Sequence, residues 1–268
     1  MSDWTAILLA GQRPGENDFA AAYGLKAKAL IPVAGEAMLS RVARTLLACP
    51  SVVRIVVLAQ EPRALFTGDA AWLADDPHVS AAAGGEGISA SIGAIAGSDA
   101  APYPVLVTTA DHPLLRPEMV EAVIAGSNGS DAAFALVERS VVEQVHPETK
   151  RTWIKFSDGH YTGANLFALA TPASGRAVSF WSRVERDRKK ALKLLTFFGP
   201  GIFLRGLTRT ISLDSAVAKA SAKLGLTVKA VRLPFPEAAI DVDKPADLEL
   251  AEQIIATRAE GRLSQGHG

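Results

Sequence analysis

Residues 4–11 of the chain read WTAILLAG, an apolar run that ends in a glycine. A short apolar run bounded by turn residues is typical of a strand buried inside a sheet. A glycine directly after the first strand of an open α/β sheet lets the main chain approach a ligand at the carboxyl edge. Exposed N–H groups in such a turn can hold anions. We therefore predict a ligand site at Leu9, Ala10 and Gly11, although a mobile surface loop would also fit this pattern.

Apolar runs alternate with helical patterns through the first half of the chain, which indicates a parallel sheet covered on both faces. Farther along, the turn signal Ser157-Asp158-Gly159 joins two runs and predicts a hairpin that adds an antiparallel, substrate-facing extension. The predicted strands are Trp4–Ala10, Val53–Ala59, Val79–Ala83, Val105–Ala110, Asp131–Val137, Thr152–Phe156, Tyr161–Leu169 and Thr227–Leu233. The predicted helices are Ala37–Ala48, Ser89–Ala96, one after Pro117, Gly175 to about Leu195, Leu213–Leu224 and Pro245–Ala259.

The domain organisation follows from the absence of a linker-like Pro, Gly or Ser stretch in the sequence. We predict one three-layer α/β/α domain over residues 1–259, with an insertion at about 138–210. The polar, glycine-containing end at 260–268 is predicted to be a flexible tail.

Composition excludes several classes of protein. Hydrophobic residues make up 49% and charged residues 21% of the 268 residues, as in globular proteins. Basic and acidic residues balance at 28 each, so no overall field favours nucleic acid or a membrane surface. The single cysteine, Cys49, cannot form an internal disulfide, which favours the cytoplasm. The first apolar run is too short to insert stably in a membrane.

Asp111 directly follows a predicted central strand and begins the sequence Asp111-His112-Pro113. A carboxylate at the end of such a strand lies where ligands bind in open sheets, and it suits Mg²⁺. The alternative is a helix N-cap or a turn aspartate. No second His or Cys stands at a ligand spacing from His112, so we do not assign it to a zinc site.

A second acidic segment lies near the C-terminus. In an extended chain Asp241 and Asp243 point to the same side, as paired metal ligands would, although both could be plain surface residues. Asp247 falls in the first turn of the next predicted helix, where a negative charge complements the helix dipole.

Two further glycine-containing segments are candidates for ligand contacts. Gly85 precedes a predicted helix in which Ser89 or Ser91 could bond a base or ribose, or simply cap the helix. In the hairpin, Gly163 allows close approach of a ligand and Asn165 can donate and accept hydrogen bonds. Lys155 is a further candidate on the same hairpin.

A basic helix is predicted after the hairpin, with a net charge of +4 between residues 183 and 193. Lys189 or Lys190 could bind the phosphate of a ligand, and contact of this helix with an anionic membrane surface is an alternative. Most such runs are solvated faces. The patch is short and lacks interleaved aromatic residues, so nucleic acid is not expected as a partner. Its cations are Arg183, Arg186, Arg188, Lys189, Lys190 and Lys193.

Several of these segments resemble the signature of the superfamily of molybdenum-cofactor guanylyl/cytidylyltransferases and sugar-phosphate nucleotidyltransferases. The similar elements are Leu9-Ala10-Gly11, Arg13, and Lys28 before Leu30-Ile31-Pro32-Val33. The resemblance implies that Gly11 and its neighbours hold a triphosphate, with Arg13 and Lys28 neutralising charge at the α-phosphate. One departure is that Gln12-Arg13-Pro14 stands where the family has a second loop glycine.

The resemblance extends to Val107–Leu115 and Ile240–Leu248, and it implies a GT-A-like (Rossmann-like) fold. It assigns Mg²⁺, or Mn²⁺, to Asp111 and to Asp243 or Asp241, with Asp243 preferred, and Asp111 also to the nucleotide. Ser91 and Gly85 are then nucleotide contacts. Asn165, with Gly163 and Lys155 on the same hairpin, would contact the acceptor, which is the small molecule that receives the transferred group, and Lys189 or Lys190 would bind its phosphate.

The implied reaction transfers NMP from an NTP to a phosphorylated sugar, polyol or cofactor, and releases pyrophosphate. CTP is favoured slightly over GTP, and the oligomeric state is left open. The alternatives are a GT-A glycosyltransferase that uses a nucleotide sugar, or an inactive nucleotide-binding regulatory module.

Overall fold

The computed structural model describes residues 3–12, 18–85, 87–186 and 210–265. An eight-stranded sheet forms its centre, with seven strands in the spatial order β10-β7-β9-β6-β1-β4-β5 and β8 paired to β9. All the pairings in the sheet are parallel except those of β9. The strands of the sheet are β1 Trp4–Leu9, β4 Val52–Ala59, β5 Val79–Ala83, β6 Val105–Thr109, β7 Ala132–Glu138, β8 Ile154–Phe156, β9 Gly159–Leu169 and β10 Val228–Arg232. A separate small hairpin pairs β2 Pro32–Val33 with β3 Glu36–Ala37.

Eight α-helices lie within the described residues. The sequence did not predict α1 or α5, and α8 continues six residues beyond the predicted end at Ala259, into the segment expected to be a tail. The helix predicted from Gly175 is observed as far as Arg186, and its remaining residues lie outside the description. The helices are α1 Asp18–Ala21, α2 Met38–Leu47, α3 Ile88–Ile95, α4 Pro117–Gly126, α5 Arg139–Val145, α6 Gly175–Arg186, α7 Leu213–Leu224 and α8 Pro245–Gln265.

The alternation of side chains along β1 explains the three layers. Ala6 and Leu8 face a core that includes α2 and α4, whereas Ile7 faces a second core that includes α3 and α6. Because successive residues of a strand point to opposite faces, β1 contributes side chains to both cores, one on each side of the sheet. The structure thus confirms the predicted α/β fold, a mostly parallel sheet flanked by helices.

The antiparallel strand β9 corrects one detail of the prediction. It lies inside the sheet, between β6 and β7, and is not added at an edge. Its last pair with β6 joins Leu166 to Thr108, and β8 pairs only with residues 159–161 beyond that point. The β8–β9 hairpin therefore projects past the carboxyl end of β6, on the side where the predicted site lies.

Parallel strands β1, β4 and β6 end at the same edge of the sheet. The N–H of Ala110 donates to the carbonyl of Leu9, and Val242 N–H donates to the carbonyl of Asp111, at 2.8 Å each. The second bond fixes the chain before α8 against the end of β6. Among the described residues, no helix combines the length and the apolar character needed to cross a bilayer.

Candidate active site

Lys28 lies between two carboxylates at the carboxyl edge of the sheet. It opens a single 3₁₀ turn, Lys28–Leu30. Its amine is 2.7 Å from Asp111 Oδ2 and 2.6 Å from Asp243 Oδ1. The structure thus brings together three of the residues singled out from the sequence, although up to 215 positions separate them along the chain.

Electrostatics keep the Lys28 amine protonated. Burial by itself lowers the pKa of this amine, since the side chain is only 19% exposed. The negative charges of Asp111 and Asp243, and the hydrogen bonds that they accept from the amine, outweigh burial. The pKa of Lys28 is therefore raised. The site therefore carries a fixed cation beside two anions.

The carboxylates of Asp111 and Asp243 fit a divalent cation. Asp111 Oδ1 is buried and has no hydrogen-bond partner within the described residues, whereas Asp243 is 61% exposed. No group of three or more His, Cys, Asp or Glu side chains in the described part of the chain is arranged to hold a metal ion. Two carboxylates with open positions suit Mg²⁺, which keeps several waters and takes further ligands from substrate phosphates.

Asp241 is placed differently from Asp243. Its Oδ1 pairs with Arg151 at 2.5 Å, and its Oδ2 accepts a weaker bond of 3.4 Å from the amide of Asn165. The pKa of Asp241 is raised, first by burial and then by the charge of Asp243. Arg151 opposes this rise, and the charge of Asp111 adds to it. Asp247 Oδ2 accepts from the N–H of Asp243 at 3.2 Å, a structural role as expected at the start of a helix.

The turn after β1 is held by the end of β4. Gln60 Oε1 accepts from Gln12 N–H at 3.2 Å, and Gln60 Nε2 donates to the Gln12 carbonyl at 2.8 Å. A Cβ on Gly11 would lie 3.0 Å from Gln60 Oε1, so an alanine there would require the Gln60 side chain to shift. Gly11 is exposed directly after the buried Ala10. Arg13, predicted to bind the α-phosphate, lies outside the described residues.

The second glycine segment packs tightly against α3. A Cβ on Gly84 would lie 3.2 Å from Ser91 Oγ, while Gly85 is exposed with open space around it. The Ser91 hydroxyl donates to the carbonyls of Gly87, at 2.8 Å, and Gly85, at 3.3 Å. This geometry favours the helix-entry interpretation of Ser91, and its contact with a nucleotide stays a prediction.

The first N–H groups of α3 are already satisfied by a carboxylate of the protein. Glu185 on α6 accepts from the N–H groups of Ile88 and Ser89, at 3.1 Å each, and from the Ser89 hydroxyl. A carboxylate at a helix N-terminus complements the dipole. Glu185 therefore occupies the N-terminus of α3, and these N–H groups are not available to a phosphate in this structure.

The acceptor candidates lie on the hairpin that projects past β6. Asn165 has a φ of 50° and is partly exposed beside Asp241, whereas Gly163 and Lys155 are exposed on the strands. A Cβ on Gly163 would meet nothing within 4 Å, so no described residue requires a glycine there. Lys189 and Lys190 lie outside the described residues.

His112 has no role at the exposed edge. It is 1% exposed, and burial lowers its pKa to about 4 despite the nearby charge of Asp111. Its ring is therefore neutral and packed inside the protein.

Sequence reasoning missed three residues that organise the site. Arg151, Gln60 and Glu185 contact partners 90, 48 and 96 or 97 positions away along the chain. The only signal for Gln60 was its position directly after a predicted strand, which places it at the ligand-binding edge. No pattern in the sequence pointed to Arg151 or Glu185.

Comparison with known proteins places the chain in a family. The model of the MobA-like NTP transferase domain matches residues 6–167. A hypothetical transferase from Thermus thermophilus is similar in structure, with a TM-score of 0.75 and 29% identity over 92% of this chain and 100% of that one. No curated protein matches the sequence.

Two solved structures of nucleotide-using synthases share the fold. CMP:2-keto-3-deoxy-manno-octonic acid synthetase complexed with CTP has a TM-score of 0.60 and 14% identity over 96% of this chain and 100% of its own. The 4-diphosphocytidyl-2C-methyl-D-erythritol synthase of Anaerococcus prevotii has a TM-score of 0.56 and 11% identity, over 95% and 96%. Because the family model spans more than half of the chain, the protein belongs to the MobA-like NTP transferase family and is a nucleotidyltransferase.

Proposed function

We propose that the protein transfers a nucleoside monophosphate from an NTP to the phosphate of a small-molecule acceptor, with a divalent cation at Asp111 and Asp243. The observation that carries this proposal is the bridge of Lys28 between these two carboxylates. Gly11 directly follows Ala10 and Asp111 directly follows Ala110, and these two buried alanines come immediately after the adjacent strands β1 and β6. Backbone donors, a cation and metal-ligating carboxylates thus share one edge.

Different residues of the chain would carry out different parts of the reaction. The N–H of Gly11, in the turn after β1, donates to the triphosphate, and the Lys28 amine donates to the α-phosphate, where negative charge increases in the transition state. An oxygen of the acceptor phosphate attacks the α-phosphorus. The bond from that phosphorus to the oxygen bridging to the β-phosphate breaks in line, and pyrophosphate leaves. The acceptor phosphate is already an anion, so no general base is needed.

Asp111 and Asp243 would hold Mg²⁺ or Mn²⁺. When bound, the cation neutralises charge on the phosphates and helps to orient them for in-line displacement. Asp111 Oδ1, which is buried and has no hydrogen-bond partner among the described residues, supports this role, because an unpaired buried carboxylate oxygen is costly without a ligand.

CTP, ahead of GTP, is the proposed donor, and a sugar or polyol phosphate the proposed acceptor. One of the structures that share the fold is a complex with CTP. The names of both synthases also indicate cytidylyl products of a sugar-like or polyol compound. For the acceptor, the hairpin with Asn165 lies beside Asp241, two residues before Asp243, and presents an amide to that side of the site.

The experiment that tests this proposal has two stages. Thermal unfolding with each of the four NTPs and Mg²⁺ identifies the donor, since a ligand that binds only the folded state raises the midpoint. Pyrophosphate release is then measured with that NTP and pools of phosphorylated sugars and polyols. We expect release from CTP that disappears in Asp111→Asn. If no NTP raises the midpoint and no pool supports release, the proposal is wrong.

A further inference from the structure

Arg151 is a largely buried cation beside Asp241 and Asp247. It lies in the loop before β8, and its side chain is 10% exposed. Its guanidinium pairs with Asp241 at 2.5 Å and lies 3.6 Å from Asp247 Oδ1. The other oxygen of Asp247 accepts from the N–H of Asp243. Arg151 is thus joined to both ends of the acidic segment that carries Asp243.

Asp241 has both carboxylate oxygens engaged by the protein. Oδ1 accepts from Arg151, and Oδ2 accepts from Asn165 at 3.4 Å. Asn165 adopts the left-handed backbone region, with a φ of 50°, which asparagine tolerates better than most residues. The amide is therefore held toward Asp241 by the bend of β9 at this position.

The two cations of the site serve different carboxylates. Lys28 pairs with Asp111 and Asp243, whereas Arg151 pairs with Asp241 and approaches Asp247. Three aspartates and two cations therefore share this part of the site, and the two cations offset the charges of different carboxylates. Without Arg151, Asp241 would be a third anion free to turn toward a cation.

We propose that Arg151 is a positioning residue that keeps Asp241 out of the coordination of the divalent cation, so that Asp111 and Asp243 alone are its protein ligands. This inference rests on the proposed function and assigns the second ligand, which the sequence left open between Asp241 and Asp243. Arg151 touches neither substrate nor cation, and it acts through the carboxylate that it holds.

The sign of one measurable effect separates this role from simple structural support. In Arg151→Gln, a positive charge is lost near the cation and Asp241 is released, so Mn²⁺ binds more tightly. For unit and double charges separated by roughly 8 Å in a water-like medium, Coulomb's law gives a gain of about fivefold or more. Loss of structural support would instead weaken binding.

The test measures Mn²⁺ affinity by electron paramagnetic resonance of the free ion, with Mn²⁺ alone as the probe, and thermal unfolding in parallel. Arg151→Gln should bind Mn²⁺ about fivefold more tightly than wild type or better. Arg151→Lys and the double variant Arg151→Gln/Asp241→Asn, which keep the local charge balance, should bind close to wild type. Arg139→Gln is the matched control, because Arg139 forms an exposed ion pair with Glu143 outside the site.

Unchanged or weaker Mn²⁺ binding by a folded Arg151→Gln overturns the inference. Asp243→Asn and Asp241→Asn give a second test that does not depend on that variant. We expect the first to abolish Mn²⁺ binding and the second to retain it, and equal losses would contradict the assignment. If wild-type protein binds no Mn²⁺, the metal site of the proposed function is itself wrong.

Discussion

Replacing Lys28 by methionine keeps most of the length of the side chain and removes its charge. In the structure, the amine is within 2.7 Å of one oxygen each of Asp111 and Asp243, so these oxygens are at most about 5 Å apart. Without the amine, the two carboxylates repel by about 1–3 kcal/mol, depending on the effective dielectric constant. We therefore expect Lys28→Met to be less stable than wild type in the absence of metal, and Mg²⁺ to restore much of the loss.

The effect on catalysis should be larger than the effect on folding. Loss of one preorganised donor to a developing anion costs roughly 10²- to 10³-fold in kcat. Lys28→Met should lose turnover by about that factor while still binding Mg²⁺ at least as well as wild type, because a competing cation has gone.

The assay is pyrophosphate release with the donor and acceptor found for the wild-type protein, together with thermal unfolding with and without Mg²⁺. Lys26→Met is the matched control, because Lys26 is exposed two positions away. Turnover of Lys28→Met within about tenfold of wild type would refute the role of the amine at the α-phosphate. A stability loss that Mg²⁺ does not reduce would refute the charge argument.

Three further predictions concern His112, Cys49 and Glu185. Because burial lowers the pKa of His112 to about 4 from 6.5, the unfolded chain takes up its proton first as pH falls. The folded protein should lose up to about 3 kcal/mol between pH 6.5 and 4, and His112→Gln should show a shallower fall in urea titrations over that range. Burial, with Glu121 and Glu118 nearby, raises the pKa of Cys49 to about 12, so a disulfide reagent at pH 8 should label this thiol only after denaturation; rapid labelling of native protein would contradict its burial. Glu185→Ala removes the cap of α3 and should cost about 1–2 kcal/mol of unfolding free energy, and an unchanged urea midpoint would show that the cap is dispensable.

Much of the fold was predictable because its signals are local. The run from Trp4 to Leu9 has the nearly continuous burial of a strand covered on both faces, and Gly11 follows shortly after its end. Lys28 and Asp111 are distant in the chain, yet strand periodicity and motif resemblance together placed both at that edge. Gly11 and Asp111 come shortly after parallel strands, which end together, whereas Lys28 was placed there by the motif resemblance.

The rest depends on pairings that a single sequence does not encode visibly. The pattern of Gly159–Leu169 predicts a strand but not its neighbours, so its place between β6 and β7 was missed. Arg151 lies in a loop without a motif, and its importance arises only when the fold brings it to Asp241. The same holds for the capping of α3 by Glu185, since helix caps are normally expected from residues next to the helix.

The most direct test of the account is a crystal structure of the protein with Mn²⁺ and the α,β-methylene analogue of CTP. We predict an anomalous Mn²⁺ peak bound by the carboxylates of Asp111 and Asp243 and by phosphate oxygens. The Lys28 amine should then contact the α-phosphate, and Arg151 should still hold Asp241 away from the ion. A cation bound by Asp241 in place of Asp243 would contradict the role of Arg151, and a triphosphate away from the turn at Gly11 would contradict the proposed site as a whole.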